Sequence, residues 1–245
     1  MSIQYSTAVL TIWWHSLIVT RFSLFTLLAI YSEPSIFAPM DLLDASNSFW
    51  HNILLWDKWL FLKINSVYTN PAFDYIMPYL RNSVYWAPLY LFLLAFVTMN
   101  YKTKGWWWCV LFLCLVAITD IISSRVFKET FERIRPCNEP GMLSHMRLLV
   151  KSCPVGYGFT SSHAANHFGM ATFFFLTFRF VFKKWAWIAF AWAAVVSYAQ
   201  IYVGVHYPLD ILGGAFLGIF FGVLMAQIFH TRFGFITFDK QPTAA

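Results

Sequence analysis

Residues 207–230 read YPLDILGGAFLGIFFGVLMAQIFH, and this segment decides the fold class. After Asp210 it contains no Asp, Glu, Lys or Arg, so it is apolar over almost its whole length. An α-helix needs about 20 predominantly apolar residues to cross the hydrocarbon core of a bilayer. Pro208 suits the first turn of a helix, where its missing N–H is not needed. We therefore predict a transmembrane helix over this segment.

Three glycines recur at four-residue spacing within this segment: Gly214, Gly218 and Gly222. Small residues at that spacing lie on one face and allow two helices in a membrane to approach closely. We interpret them as a packing surface within the chain, with a dimer contact as the alternative. The protein is accordingly expected to be a monomer or a weak homodimer.

Apolar runs of similar length recur through the chain, over 74–99, 105–127, 163–182 and 184–204. The first of them is bent or interrupted near Pro78 and Pro88. Of the 245 residues, 59% are hydrophobic and 11% are charged, whereas a soluble domain carries about 25% charged residues. The pattern predicts an all-α, polytopic membrane helical bundle with about five to six transmembrane helices.

The chain divides into an N-terminal extension, a membrane domain and a short cytoplasmic tail, over 1–49, 50–232 and 233–245. The extension holds an apolar run at 8–31, which is either a further span or a helix at the membrane interface. Residues 50–64 carry Asp57 and Lys58 among apolar side chains. That mixture predicts an amphipathic helix lying in the interface.

Lysines between the apolar runs set the expected orientation. Lys102 precedes one run, and Lys183 and Lys184 separate two others. Because cytoplasmic loops are enriched in such residues, we expect 128–162 and 205–207 on the outer face of a bacterial inner membrane. The cations, which give a net charge of +6, form no stripe with interleaved aromatic residues. We therefore expect no nucleic acid partner.

Two cysteines, Cys137 and Cys153, fall in the expected outer segment. An oxidising compartment would allow them to form a disulfide. The alternative is a pair of free thiols.

Lys128 and Arg135 stand seven residues apart, and Pro136 follows directly. Seven residues are nearly two helical turns, so both cations are expected on one face of a helix that Pro136 ends. Together they can bind a phosphate, the arginine through its planar fork and the lysine as a point charge. The alternative is that they anchor the chain to anionic lipid headgroups.

Ser161, Ser162 and His163 open the apolar run 163–182. Serine is a good N-cap, and the free N–H groups at a helix start favour an anion. A histidine at this position can donate a proton to a leaving group. The alternative is an ordinary helix cap.

His206 and Asp210 are four residues apart at the start of the last run. At this spacing the carboxylate can reach one ring nitrogen and leave the other free to attack an electrophile. The alternative is an interfacial histidine beside an acidic residue near a helix start. An idle carboxylate at a membrane edge is costly, which weakens that alternative.

These three stretches, taken in order, resemble the signature of the type 2 phosphatidic-acid phosphatase family, KxxxxxxRP, PSGH and SRxxxxxHxxxD. The internal spacings of the first and last parts match, and the resemblance covers roughly residues 50–230. It implies a helical bundle whose site faces the outer side and which uses no metal and no other cofactor.

The resemblance also implies a role for each matching residue. Lys128 and Arg135 would bind phosphate oxygens, with help from Ser161 and the backbone N–H of Ser162. His163 would be the general acid for the leaving oxygen. His206 would be the nucleophile that forms a phosphohistidine, and Asp210 would orient it.

The chain departs from the family pattern at three positions. Thr160 and Ser162 replace the Pro and Gly of PSGH, and both changes are mild if the backbone N–H stays available. Gln200 replaces the arginine of the last motif. A glutamine there can donate hydrogen bonds to phosphate but adds no charge, so another cation is needed. Arg133 and Lys151 are nearby candidates, and Arg125 is a third, which is expected to pair with Asp120 inside the bundle.

The resemblance therefore implies an integral membrane hydrolase that removes a phosphate from a membrane lipid, as a monoester or a pyrophosphate. Undecaprenyl pyrophosphate, phosphatidylglycerol phosphate, phosphatidic acid and lipid A phosphates all carry the required group. Gln200 leaves a non-catalytic lipid-phosphate binding protein as an alternative. A transporter is a further one, although the chain shows no inverted repeat.

Overall fold

The computed structural model describes residues 49–235, and every regular element in that range is helical. The α-helices are α1 (Phe49–Leu62), α2 (Pro71–Leu80), α3 (Ala87–Ile121), α4 (Lys128–Phe131), α5 (Ser162–Phe182), α6 (Ile188–Tyr202) and α7 (Pro208–Arg232). Shorter turns of 3₁₀ or π geometry join them at Lys63–Val67, Ser83–Trp86, Ile122–Phe127, Pro136–Asn138 and Lys183–Trp187. The expectations for the extension at 1–48 and for the tail beyond 235 lie outside the described residues.

Between residues 49 and 235, three helical segments are long and apolar enough to cross a membrane: Ser83–Phe131, Ser162–Tyr202 and Pro208–Arg232. The first folds back on itself at Lys102, whose φ of 49° interrupts the helix. Beyond that turn, Gly105 packs against Val97, where a Cβ would come within 2.3 Å of the Val97 carbonyl oxygen. The second segment folds back at Lys183, which also has a φ of 49°. The described residues therefore form five long helical segments that run back and forth, which confirms the polytopic all-α bundle.

The apolar run predicted over 74–99 is divided between two helices. The break falls at 81–86, between the two prolines that predicted it, and Pro78 lies inside α2. Pro88 lies in the first turn of α3, where proline is tolerated. This break matters for the site because it leaves Arg81 at the end of α2.

The helix predicted over 50–64 is present as α1, and its buried side holds Asp57 together with Phe61 and Leu62. Asp57 is 4% exposed, whereas Trp50 and Trp56 are 71% and 58% exposed. A buried carboxylate needs a partner, and Asp57 has one in Arg133. The apolar outer face suits contact with lipid, so placement at the interface stays a prediction.

The three glycines of the last helix pack α7 against α5. A Cβ on Gly218 would meet the carbonyl oxygen of Ala165 at 2.2 Å, and one on Gly214 would meet that of Ser161 at 2.4 Å. These pairings run in the same direction, so α5 and α7 are parallel neighbours. Packing within the chain, the favoured interpretation of the glycine spacing, is thus confirmed.

Gly218→Ala is expected to destabilise the protein, because the added methyl group overlaps backbone that cannot move independently of α5. Overpacking of this kind costs about 1–3 kcal/mol. The measurement is the midpoint of heat-induced aggregation of the purified protein in detergent. Gly141→Ala is the matched control, since a Cβ there meets nothing within 4 Å. An unchanged midpoint for Gly218→Ala would show that the two helices are not packed as described.

All three sequence motifs lie at one end of the bundle, here called the site end. There α4 ends, α5 begins, α6 ends and α7 begins. The turns at Lys102 and Lys183 lie at the opposite end, where Lys104 donates a hydrogen bond to the carbonyl oxygen of Gly234 at 2.7 Å. Cys137 and Cys153, in the segment between α4 and α5, are joined as a disulfide with their Cα atoms 5.7 Å apart.

Candidate active site

A cavity of about 240 Å³ opens at the site end. Its lining combines cationic, imidazole, hydroxyl and amide groups, from Arg81, Lys128, Arg135, Pro154, Ser162, His163, Gln200 and His206. No carboxylate is among these lining residues, so the cavity is suited to an anion. A second, more open groove of about 190 Å³, lined by Tyr79, Leu80, Tyr85 and Trp86, has no cation in its lining.

His206 lies in the short connection between α6 and α7 and is 3% exposed. Its Nδ1 is 3.3 Å from Asp210 Oδ2, and its Nε2 is 3.0 Å from Arg135 Nη1. A guanidinium group has donors and no acceptor, so Nε2 must accept this hydrogen bond. The proton therefore resides on Nδ1, and Nε2 holds the lone pair of electrons.

Burial lowers the pKa of His206 to about 4, and the nearby charges of Arg135 and Lys128 act in the same direction. Asp210 opposes the shift. With its pKa far below 7, the imidazole is neutral at physiological pH. A neutral imidazole whose Nε2 carries the lone pair can act as a nucleophile once a phosphate takes over the Arg135 hydrogen bond.

Asp210 is fully buried in the first turn of α7 and is held from three sides. Besides meeting His206, Oδ2 accepts the Tyr207 backbone N–H at 2.9 Å. Oδ1 accepts a hydrogen bond from Arg133 Nη1 at 2.8 Å. The carboxylate therefore has a fixed orientation and holds the histidine in the Nδ1–H tautomer.

Arg133, a candidate for the additional cation, contributes no unpaired charge to the cavity. Its guanidinium pairs with Asp57 as well as with Asp210, and it stacks 4.6 Å from the centre of the Tyr207 ring. Two carboxylates neutralise its charge, and it is absent from the cavity lining. Lys151, a further candidate, is exposed and does not line the cavity either.

Lys128 and Arg135 both line the cavity, although the expectation that they share one helix face is wrong. The helix ends at Phe131 because Glu132 adopts a left-handed conformation with φ 45°. Arg135 follows in extended backbone, and its Nε donates to the Gly156 carbonyl oxygen at 3.0 Å. Lys128 Nζ donates to Ser162 Oγ at 2.9 Å.

The two serines of the second motif have different positions. Ser161 is fully buried and caps α5, with its Oγ accepting the Ala164 N–H at 3.4 Å, and it does not line the cavity. Ser162 lines the cavity instead. Its backbone N–H and that of His163 lie in the first turn of α5, where N–H groups have no intrahelical partner.

His163 lines the same cavity, one residue into α5. Within residues 49–235, neither of its ring nitrogens makes a hydrogen bond, whereas both nitrogens of His206 are engaged. The two histidines therefore differ, because His206 is held in one tautomer and the His163 ring is not fixed by a hydrogen bond within residues 49–235.

Gln200, near the end of α6, is fully buried in the cavity wall. Its Oε1 accepts a hydrogen bond from Arg81 Nε at 3.1 Å, and its Nε2 donates to the Arg81 carbonyl oxygen at 3.4 Å. Arg81 was missed by the sequence reasoning because it belongs to none of the three motifs. The one signal that could have led to it is the charge deficit at Gln200.

The comparisons with known proteins agree with the motif pattern. The family model described as the PAP2 superfamily matches residues 106–234. A lipid A 4'-phosphatase of Bacteroides thetaiotaomicron is 33% identical over 71% of this chain and 77% of its own length. One of Porphyromonas gingivalis is 30% identical over 72% and 74%. The fold resembles the crystal structure of a transmembrane PAP2-type phosphatidylglycerolphosphate phosphatase from Bacillus subtilis, with a TM-score of 0.56, 24% identity and coverage of 74% and 89%.

Proposed function

The chain belongs to the PAP2 superfamily, and we propose that it is an integral membrane lipid phosphatase acting through a phosphohistidine on His206. The observation that carries the proposal is the state of that histidine. Its unprotonated Nε2 faces Arg135 in a cationic cavity, and Asp210 fixes the opposite nitrogen. A phosphate bound there places its phosphorus atom next to a neutral, oriented nucleophile.

In the first step, the His206 Nε2 lone pair attacks phosphorus as the bond from phosphorus to the lipid oxygen breaks. Positive charge develops on the imidazole, and the buried Asp210 carboxylate stabilises it. His163 donates a proton to the leaving oxygen, so the lipid departs as an alcohol. The products of this step are the dephosphorylated lipid and a phosphorus–nitrogen bond on His206.

In the second step, His163, now neutral, accepts a proton from water while the water oxygen attacks phosphorus. The phosphorus–nitrogen bond breaks, its electrons return to Nε2, and inorganic phosphate leaves. In both steps the anionic oxygens of the transferred phosphoryl group lie in the cavity, where Lys128, Arg135 and the hydroxyl of Ser162 can bind them. Preorganised donors of this kind stabilise the charge of a phosphoryl transition state. We assign the phosphate contact to Ser162 rather than Ser161, because Ser161 is occupied as a cap.

The site is proposed to face the outer side of a bacterial inner membrane. The support is the distribution of cations, because Lys102, Lys183 and Arg232 lie at the end of the bundle opposite the cavity. Positive residues favour the cytoplasmic side of a membrane. A lipid headgroup can then reach the cavity while its chains stay in the bilayer.

The proposed substrate is a phosphate monoester on a lipid of the lipid A type. The support is the identity of the two relatives described above, which match more than two thirds of this chain and carry that activity in their names. The non-catalytic alternative is weakened by the geometry, because a binding site needs no nucleophile held in one tautomer.

The experiment is phosphate release by the purified protein from four lipids presented in detergent micelles. These are lipid A, undecaprenyl pyrophosphate, phosphatidylglycerol phosphate and phosphatidic acid. We expect the highest kcat/KM with lipid A, and the same rates with and without a metal chelator. Release from none of them would reject the phosphatase proposal, and tight binding without release would favour the binding protein. A faster reaction with another lipid would correct the substrate and leave the chemistry in place.

A further inference from the structure

The cavity contains one more cation than the motifs account for. Lys128 and Arg135 come from the first motif, whereas Arg81 comes from the end of α2, outside every motif. The pattern of the last motif expects an arginine at position 200, where this chain has an uncharged glutamine. The residue that lacks the expected charge and the residue that adds one are in direct contact, since Gln200 Oε1 is 3.1 Å from Arg81 Nε.

The contact between the two residues is a clamp rather than a single hydrogen bond. Gln200 uses its carbonyl oxygen on the Arg81 side chain and its NH₂ group on the Arg81 backbone. Because Gln200 is fully buried, it cannot turn to water for other partners. Both ends of the amide therefore fix the side chain and the backbone of the same arginine.

The clamp leaves the anion-binding part of Arg81 free. Its Nε is engaged, but neither Nη atom makes a hydrogen bond to a group in the range 49–235, and no carboxylate pairs with it there. Arg133, which does not line the cavity, is by contrast neutralised by Asp57 and Asp210. An arginine keeps its charge even when burial lowers its pKa, as it does here.

A charge in this position is costly until an anion arrives. Arg81, Lys128 and Arg135 line one cavity whose walls contain no carboxylate, so the three cations repel one another. A buried charge without a partner is unfavourable. A bound phosphate reduces both the repulsion among the cations and the penalty of the unpaired charge. The reduction is largest when the phosphate carries the most negative charge.

We propose that Arg81 is the third cationic ligand of the phosphate and that Gln200 is the residue that positions it. The proposal rests on the phosphatase function given above and extends it. The family pattern places this positive charge at position 200 on α6. In this chain Arg81, at the end of α2, supplies it, and Gln200 on α6 holds Arg81 in place. An arginine at position 200 would then bring a second guanidinium against Arg81 instead of completing the site.

The test is a set of substitutions at the two positions, measured by kcat/KM with the best lipid and by inhibition with orthovanadate, a phosphate analogue. Arg81→Gln is expected to lower kcat/KM about 100-fold, the size of the loss when one transition-state donor is removed. It should also weaken orthovanadate inhibition at least tenfold. Arg81→Lys, which keeps the charge, should recover part of both losses.

The second half of the test exchanges the charge between the helices. Gln200→Arg alone is expected to lower kcat/KM, because it sets two guanidinium groups against each other. The double substitution Arg81→Gln with Gln200→Arg should exceed Arg81→Gln alone at least tenfold. Arg232→Gln is the matched control, since Arg232 is exposed at the opposite end of the bundle. It should change neither measurement.

Two outcomes would overturn the proposal. One is a folded Arg81→Gln protein with the wild-type kcat/KM and orthovanadate inhibition. The other is a Gln200→Arg protein that gains activity while Arg81 is present. If Arg81→Gln does not fold, Arg81→Lys and the double variant decide. If the wild-type protein releases no phosphate from any lipid, the phosphatase proposal fails, and orthovanadate binding measured by calorimetry still tests Arg81 separately.

Discussion

His206→Ala is expected to abolish phosphate release, with kcat falling by about 10⁴-fold or more, as when the nucleophile of a covalent mechanism is removed. The alanine cannot form the phosphorus–nitrogen bond, and His163, the other histidine of the cavity lining, has no hydrogen bond within residues 49–235 that would fix its tautomer. The measurement is phosphate release from the best lipid together with trapping of the intermediate. Brief exposure to ³²P-labelled substrate followed by a quench should label the wild-type protein at an acid-labile site.

Two controls separate chemistry from folding in that experiment. His230→Ala removes an exposed histidine at the opposite end of the bundle and should retain both turnover and labelling. His206→Ala should elute as a folded protein and should still bind orthovanadate through the remaining cations. Turnover or labelling that persists in His206→Ala would reject the proposed nucleophile, whatever the lipid.

The gathering of the three motifs at one end could be predicted from the sequence. The argument needed only the alternation of apolar runs and the positions of a few lysines. Lys102 and Lys183 mark turns in the structure as they do in the sequence, and the motifs lie at the other end. Successive helices in such a bundle run in opposite directions. Once the lysines assign two turns to one end, the end at which every other connecting segment lies follows.

The detailed roles of neighbouring residues could not be predicted in the same way. Ser161 and Ser162 are chemically identical, and either could cap the helix or line the cavity. The choice depends on a rotation of about 100° per residue around α5, together with the contact of the Ser161 N–H with the Asp210 carbonyl oxygen. Likewise, Arg133 is two residues from Arg135, yet it is committed to Asp57 from α1.

Arg81 shows a second limit. It is separated from Gln200 by 119 positions, and no local pattern distinguishes it from an arginine at a helix end. The sequence did show that one positive charge was lacking, because Gln200 stands where the family pattern has an arginine. The packing of α2 against α6 places Arg81 in the cavity lining, whereas Arg125, Arg133 and Lys151, the candidates close in sequence, do not line the cavity.

His163→Ala is expected to lose activity in a way that depends on the leaving group. General acid catalysis contributes about 10²–10⁴-fold, so release of phosphate from a lipid should fall by that range. A lipid alcohol is a poor leaving group and needs the proton, whereas p-nitrophenolate leaves readily without one. With p-nitrophenyl phosphate, formation of the phosphohistidine should therefore be affected much less than with a lipid.

The same variant should alter which step limits turnover. Because His163 is also the base that activates water in the second step, its removal should slow hydrolysis of the phosphohistidine and let it accumulate. Rapid-quench labelling with p-nitrophenyl phosphate should then show a burst of protein labelling that approaches one phosphate per active protein, followed by slow release of phosphate.

His167→Ala is a useful comparison, because that buried histidine donates from Nδ1 to the His163 carbonyl oxygen and accepts at Nε2 from the Tyr90 hydroxyl. An equal loss on both substrates without accumulation would mean that His163 supports the fold or binds phosphate and transfers no proton. A leaving-group dependence confined to His163→Ala would separate its role from that of His206, whose loss should stop both substrates alike.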